Sequence, residues 1–293
     1  MGNALRTVVR LAAAGLIFGG VALGLRTGGV SMSAQARPQP VKTPRVYVFS
    51  LGKLSVADPK NFGFTKEQLA TTDLAVAGYL IVHPRGTLIW DTGVVPDADV
   101  GGSARGADRA EGHRLKDEMA KVGYQPSDIT YVAISHYHSD HTANLNYFGA
   151  STWLVRKEER DQIFAEKPPG ILVQSHFTAL KNAKTTIIDK DEYDVFGDNS
   201  VVIKSTPGHT PGHTVLVVRL PRTGMIVLAG DLYHYPEERK ARTIVPSFEF
   251  NKEQSIASRN MVEDYVAKNR AQLWIEHDYA SDAKLKKAPN FYE

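Results

Sequence analysis

Cysteine is absent from the 293 residues of this chain. That excludes disulfide scaffolds, thiolate nucleophiles and every cysteine-based zinc or iron–sulfur site. Any bound metal must take nitrogen and oxygen donors. A chain of this length buries enough surface to fold without covalent staples. An excess of one charge sign is also lacking: 35 Lys and Arg face 32 Asp and Glu, a formal net charge of +3. Arg6, Arg10 and Arg26 lie in the first 36 residues, which hold no acid, so the remainder is formally neutral. No basic stripe with interleaved aromatics is present, and no nucleic-acid partner is expected. Repeats, low-complexity tracts and internal linkers are missing too. The composition is that of an ordinary globular protein, and the length fits one large domain.

Long apolar runs are limited to one. Leu11 to Leu25 (LAAAGLIFGGVALGL) follows the basic Arg6 and Arg10 and precedes Ser33-Ala34-Gln35-Ala36, a small-x-small cleavage site. That order reads as a secretory signal peptide. The run is shorter than the roughly 20 residues of a bilayer span. Residues 1–36 are therefore expected to be cleaved, leaving no stable membrane anchor and a periplasmic or secreted protein. Residues 37–44 form a Pro-rich lead-in, and residues 45–293 a single domain.

Apolar runs of strand length punctuate that domain. Arg45–Leu51, Ala75–His83, Thr87–Asp91, Asp128–Ser135, Thr152–Val155, Ser200–Ser205, Val215–Leu220, Met225–Ala229 and Gln272–Glu276 are predicted strands. Helices are predicted before Val122-Gly123, from Arg156, and over Lys252–Asn269. Strands alternating with helices, with antiparallel hairpins among them, imply a layered α/β fold with mixed sheets.

Four strand ends carry ligand-capable residues. The predicted strand before Ser135 delivers His136, His138, Asp140 and His141 within one short segment. Strand alternation puts His136 and His138 on one side, and the next turn adds Asp140 and His141. Imidazole and carboxylate at this density can serve two adjacent cations, and the set suits zinc, and also manganese, iron or cobalt. Pro207-Gly208-His209-Thr210-Pro211-Gly212-His213-Thr214 follows a second strand, and one histidine there suffices as a ligand. Asp231 ends the run Leu228-Ala229-Gly230, and His277 ends Trp274-Ile275-Glu276. His83, His113 and His176 fall outside this pattern and are expected to be solvated or capping residues.

This succession resembles the metallo-β-lactamase superfamily and, within it, the N-acyl homoserine lactonases, over residues 45 to 293. Phe49–Asp58 (FSLGKLSVAD), Trp90–Gly93 (WDTG), Val122–Ile134 (VGYQPSDITYVAI) and the stretch from Glu276-His277-Asp278 to Lys286-Lys287-Ala288-Pro289 extend the resemblance beyond the ligands. It implies an αβ/βα four-layer sandwich of two mixed β-sheets flanked by helices. It implies two divalent cations, zinc by preference: His136, His138 and His209 on one, Asp140, His141 and His277 on the other, and Asp231 on both. His213 would then be structural, and Asp91 either orients a ligand imidazole or caps a turn. The implied reaction is the opening of a lactone by a hydroxide held between the metals, with Asp140 moving the proton and His234 or Tyr233 assisting the carbonyl. The partner would be a small lactone or ester, and a homodimer is compatible with the family.

The chain departs from the lactonase pattern at three places. Ser139 stands where an aromatic residue is usual, Ala143-Asn144 replace a Gly-Gly, and His234 replaces the carbonyl-assisting Tyr. The alternatives are an exported organophosphate or aryl-ester hydrolase, or a β-lactamase-like enzyme, of the same superfamily. A metal-binding protein without turnover is the reading from another class.

Overall fold

The computed structural model describes residues 40–101 and 112–293, so the expected signal peptide lies outside the described residues. Among the described residues, eleven strands form two sheets. The first carries β1 (Arg45–Ser55), β2 (Asp73–His83), β3 (Gly86–Trp90), β4 (Tyr131–Ala133), β5 (Thr152–Arg156) and β6 (Thr185–Ile188), in that order. β1, β2 and β3 pair antiparallel, and β3 to β6 run parallel. The second carries β7 (Glu192–Asp194), β8 (Val201–Ser205), β9 (Thr214–Leu220), β10 (Gly224–Leu228) and β11 (Gln272–Trp274). Its order is β11-β10-β9-β8-β7, antiparallel except for the parallel β10–β11 pair. The helices are α1 (Leu115–Lys121), α2 (Ser139–Thr142), α3 (Lys157–Ile163), α4 (Lys252–Asn269) and α5 (Tyr279–Asp282).

Side-chain alternation turns these elements into layers. Val46 and Val48 of β1, with Leu88 and Trp90 of β3, pack in one core against Val201, Ile203, Leu216 and Ile226 of the other sheet. The intervening Tyr47 and Phe49 point the other way, into a second core with Leu115 and Met119 of α1 and Ile163 of α3. On the far side, Val215, Val217 and Val227 pack with Val262 of α4. Strands apolar on both faces require cover on both, and the result is helix, sheet, sheet, helix. Asn251 caps α4 by accepting from the Gln254 amide, and the left-handed Arg270 stops it.

The sequence reading differs from the structure in three places. Asp128–Ser135 contributes only Tyr131–Ala133 to the sheet, because Pro126–Asp128 forms a 3-10 turn and Ser135 leaves the ladder. β6 and β7 were not expected. Both are edge strands of low burial, with only Ile188 buried in β6 and no residue buried in β7. Without a buried face they carry little apolar pattern to read.

Candidate metal centre

The carboxyl ends of β3, β4, β10 and β11 converge with the β8–β9 loop, and each delivers one part of the site. β4 ends two residues before Ser135, and the chain then passes through His136 and His138 into α2. Gly230 holds φ +50, and a Cβ there would lie 2.5 Å from that of Ser135. Only glycine permits this approach of β10 to the β4 segment. Gly208 is equally constrained: a Cβ would sit 2.3 Å from the Ser255 amide nitrogen. These contacts place Asp231 and His209 beside the His136–His141 segment.

Two groups of donors result, and they share Asp231. His136, His138, His209 and Asp231 form one; Asp140, His141, Asp231 and His277 form the other. The two carboxylate oxygens of Asp231 divide between them. Oδ2 lies 3.5 Å from His136 Nε2 and 3.3 Å from His209 Nε2. Oδ1 lies 3.0 Å from both His141 Nε2 and His277 Nε2. Asp140 Oδ2 joins the second group 3.4 Å from His277 Nε2, and His138 Nδ1 joins the first 3.0 Å from His209 Nε2. Donors held about 2.0–2.1 Å from a tetrahedral centre stand roughly 3.3 Å apart. His136 Nε2, His141 Nε2 and Asp231 Oδ1 are buried and have no hydrogen-bond partner. Buried polar atoms without partners are costly, and a cation in each group would satisfy them. The donor set fits two metal ions.

The far nitrogens of the imidazoles are also held, which fixes ring orientation. Ser135 Oγ lies 3.0 Å from His136 Nδ1, Glu249 Oε1 2.9 Å from His209 Nδ1, and the Ala75 carbonyl 2.7 Å from His277 Nδ1. His141 Nδ1 faces two carboxylates, Asp91 at 3.3 Å and Glu276 at 3.4 Å. Asp91 adopts a left-handed conformation, φ +54, and its Oδ1 accepts the Ser135 amide at 2.7 Å. That strained turn lets one residue brace both the β4 segment and His141.

Burial and neighbouring charge set the protonation of the metal-free cluster. Burial pushes His136 and His138 well below the usual histidine range, and neighbouring imidazoles add to it. Burial works against charge on His141 and His277 as well, but the surrounding carboxylates, Asp231 first, hold both well above that range. Asp231 itself is held well below the carboxylate range, because His277, His141 and His136 outweigh its burial. Protons on the imidazoles thus balance the carboxylates that cations would otherwise neutralise.

The donors open into a cavity of about 280 Å³. Leu54, Phe62, Leu74, Val94, Ile171 and Phe248 form its apolar wall, and His138, Ser139, Asp140, Asp231, His234 and His277 its polar floor. Among the described residues, no lysine or arginine lines it.

Residues 71–268 match the model of the metallo-beta-lactamase superfamily. The chain belongs to that superfamily. Among curated members it is similar to the N-acyl homoserine lactonase AttM of Rhizobium radiobacter, 28% identical over 264 residues, covering 85% of this chain and 98% of the relative. Among solved structures it is similar to an N-acyl homoserine lactone hydrolase with the product N-hexanoyl-L-homoserine bound at the catalytic metal centre. That match has a TM-score of 0.71 at 22% identity and covers 86% of this chain and 100% of the other. It is similar also to AidC, a dizinc quorum-quenching lactonase, with a TM-score of 0.64 at 18% identity, covering 88% and 97%. At these identities the structural likeness shows the superfamily's fold.

Within this superfamily scaffold the residues singled out by sequence fall into place individually. The structure gathers His136, His138, Asp140, His141, His209, Asp231 and His277 into the cluster. It leaves His213 one step back: Nε2 accepts the Asp231 amide at 3.2 Å, and Nδ1 lies 2.8 Å from Thr206 Oγ1. His234 lines the cavity with Nε2 3.3 Å from Asp231 Oδ2. Tyr233, the other candidate at the carbonyl, does not reach the cavity. Its ring is buried among Val262, Leu232 and Ile275, and its hydroxyl donates to Glu263 at 3.2 Å. The reason is local: Gly230–Leu232 is a 3-10 turn. Tyr233 after the turn is extended, so strand alternation does not run unbroken from Asp231, and it is His234 that returns to Asp231. His83, His113 and His176 lie outside the cluster, beside Asp198, Glu118 and Thr142.

Asn144, which stands where the lactonases carry glycine, donates to the Thr92 and Val95 carbonyls and accepts the Asp97 amide. It thereby ties the loop after Asp91 to α2. Three glutamates escaped the sequence reading. Glu249 braces His209. Glu238 accepts the His234 amide at 3.2 Å. Glu159 of α3 accepts from the Tyr137 amide, the Gly212 amide and Thr210 Oγ1, and so joins the two histidine loops. No sequence signal marks these residues: tertiary packing brings in Glu249 and Glu159, and a local 3-10 turn brings in Glu238.

Proposed function

We propose that this chain is an exported, dinuclear metal-dependent hydrolase that opens N-acyl homoserine lactones. The observation that carries the reading is a seven-residue donor cluster, divided by the two oxygens of Asp231, at the floor of an apolar cavity without a cation. Such a cavity suits an uncharged ester with an apolar tail. A β-lactam, a carboxylate at neutral pH, has no cationic partner among the residues that line it. The N-terminal signal-like segment supports export, and the dizinc relative supports zinc.

His136 Nε2, His138 Nδ1, His209 Nε2 and Asp231 Oδ2 would hold one ion; Asp140, His141 Nε2, His277 Nε2 and Asp231 Oδ1 the other. When bound, the two ions supply Lewis acidity and make water acidic enough to ionise near neutral pH. The chain's own residues do the rest. The apolar wall holds the acyl chain and limits water around the ester. His234 donates a hydrogen bond to the lactone carbonyl oxygen as negative charge develops there. In the metal-free protein burial opposes charge on His234, while the flanking Asp231 and Glu238 raise its pKa. Asp140, at the cavity floor, passes the proton to the ring oxygen as the C–O bond breaks.

The test is zinc-dependent turnover of N-acyl homoserine lactones compared with paraoxon, an aryl ester and a β-lactam. Preferred hydrolysis of the lactones supports the proposal. Preference for paraoxon or the aryl ester would reassign the enzyme within the superfamily. No turnover of any substrate by zinc-bound protein would favour a binding role.

A further inference from the structure

His234 is itself held from behind, by residues to which the sequence gives no role. Glu238 and Arg259 are both 0% exposed. Arg259 projects from α4 into the loop that follows Asp231. Its guanidinium donates to the carbonyls of Leu232 at 2.8 Å and Ile244 at 2.6 Å, and Nη2 donates to Glu238 Oε2 at 2.6 Å. It also lies 4.7 Å from the centre of the Tyr233 ring. Segment 232–244 is therefore wrapped around one buried cation. The same Oε2 of Glu238 accepts the His234 main-chain amide. Its other oxygen, Oε1, stands 3.6 Å from His234 Nδ1. Both of those atoms are buried, and neither has a hydrogen-bond partner. Buried polar atoms in folded proteins find partners, and these two face each other just beyond bonding distance. A small rotation of the ring pairs them.

We propose that Glu238, locked by Arg259, is the positioning residue of His234. It would accept the Nδ1 proton and fix the ring plane so that Nε2 faces the ester carbonyl. This rests on the lactonase reading of the site. Glu238 touches neither substrate nor the metal ligands, so its removal should change how His234 is presented and nothing in the donor cluster. Because the Arg259 charge is buried, Glu238→Gln leaves it without a counterion and can cost stability. Glu238→Asp keeps the ion pair and withdraws the carboxylate by one methylene, which separates the two roles.

The experiment uses the zinc-loaded full domain. Glu238→Asp, Glu238→Gln, His234→Ala and the Glu238→Asp/His234→Ala double variant are compared for kcat and KM on a lactone, for zinc content, and for the imidazole N–H resonances of 15N-histidine-labelled protein. Expected are a loss of kcat of tenfold or more in Glu238→Asp, with KM and zinc unchanged, and no further loss when it is added to His234→Ala. A hydrogen-bonded N–H resonance absent from His234→Ala should move in Glu238→Asp. An unmoved resonance, or losses that multiply in the double variant, would overturn the positioning role. Native kcat in His234→Ala would instead overturn the role of His234 in the lactonase reading, while the resonance still decides whether Glu238 holds the ring. If Glu238→Gln does not fold, Glu238→Asp carries the same comparisons.

Discussion

The two donor groups share Asp231 but are braced differently. In the first, His136 is backed by a serine hydroxyl and His209 by the single carboxylate of Glu249. In the second, His141 is backed by two carboxylates, Asp91 and Glu276, and Asp140 is itself a donor. Burial pushes His136 and His138 of the first group toward the neutral form, while carboxylates pull His209 of the first group and His141 and His277 of the second toward the protonated one. The first group is an imidazole-rich site in which a single carboxylate braces His209. The second is richer in carboxylates, with two facing His141 and the Ala75 carbonyl alone behind His277. The difference teaches that the same ligand chemistry can be secured in two ways, and that the first group is the easier to weaken by a single change.

The largest effect is expected where the groups meet. Asp231→Ala removes a donor from both, and a Lewis-acid contribution of several kcal/mol corresponds to more than about a thousandfold in turnover. His209→Ala should empty the first group alone, whereas His213→Ala should leave a folded, metal-bound protein, because His213 belongs to neither donor group and contacts the Asp231 amide and Thr206 instead. Elemental analysis of both variants checks this; metal loss in His213→Ala with retention in His209→Ala would reverse the assignment.

His234→Ala comes next. Removing a donor to a developing oxyanion costs roughly 2.7–4 kcal/mol, so lactone turnover should fall by about a hundredfold or more with metal content unchanged. Tyr233→Phe should change turnover little, since the Tyr233 hydroxyl is spent on Glu263. A large loss in Tyr233→Phe would place the wrong side chain at the carbonyl.

The unequal bracing gives a smaller and sharper contrast. Glu249 is held at about 2, because the charge of His209 and hydrogen bonds from His209 and Ser255 outweigh its burial. Glu249→Gln should lower metal affinity by about 10- to 100-fold, the usual effect of losing such a brace. Glu276→Gln should cost less, because Asp91 remains at His141 Nδ1. Chelator competition on both variants measures the two losses; equal losses would erase the distinction between the groups.

A last effect is on stability and not on the metal site, through the carboxyl that links the histidine loops. Burial raises Glu159 from 4.5 to about 7, despite the hydrogen bonds it accepts from Thr210, Tyr137 and Gly212. The folded protein therefore holds this proton more tightly than the unfolded chain. The resulting stability is complete below about pH 4.5 and is lost as the pH rises through about 7. Relative to Glu159→Gln, which lacks this titration, the native protein should lose up to about 3 kcal/mol across that window in urea unfolding. A pH-independent difference would show that the Glu159 carboxyl does not titrate there.

The donor cluster was legible because its segments follow the ends of apolar strands, a pattern that survives in one dimension. His136, Asp231 and His277 all carry it, whereas the choice of His209 over His213 rested on the resemblance to the lactonases. The strands were legible for the same reason, since strands buried on both faces are apolar runs; their division into two sheets rested on the resemblance. Edge strands such as β7 (Glu192–Asp194) lack that signature and went unseen. The braces were illegible for a different reason. Glu249, Glu238 and Glu159 sit 40, 4 and 22 residues from the groups they hold. Two lie in irregular or 3-10 segments and one on a short helix; packing brings Glu249 and Glu159 to their partners, and a local turn without a sequence signature brings Glu238 to His234. The Tyr233–His234 choice turned on a 3-10 turn at Gly230–Leu232, where strand alternation would have pointed to the wrong neighbour.

Two catalytic metal ions held by one chain through a shared Asp231 are what the proposed chemistry requires. The direct measurement is lactone turnover against zinc added to metal-free protein, with bound zinc determined at each point. The account predicts that full activity coincides with two equivalents of zinc per chain, and that Asp231→Ala reaches neither. Full activity at one equivalent, with no gain on binding a second, would contradict it.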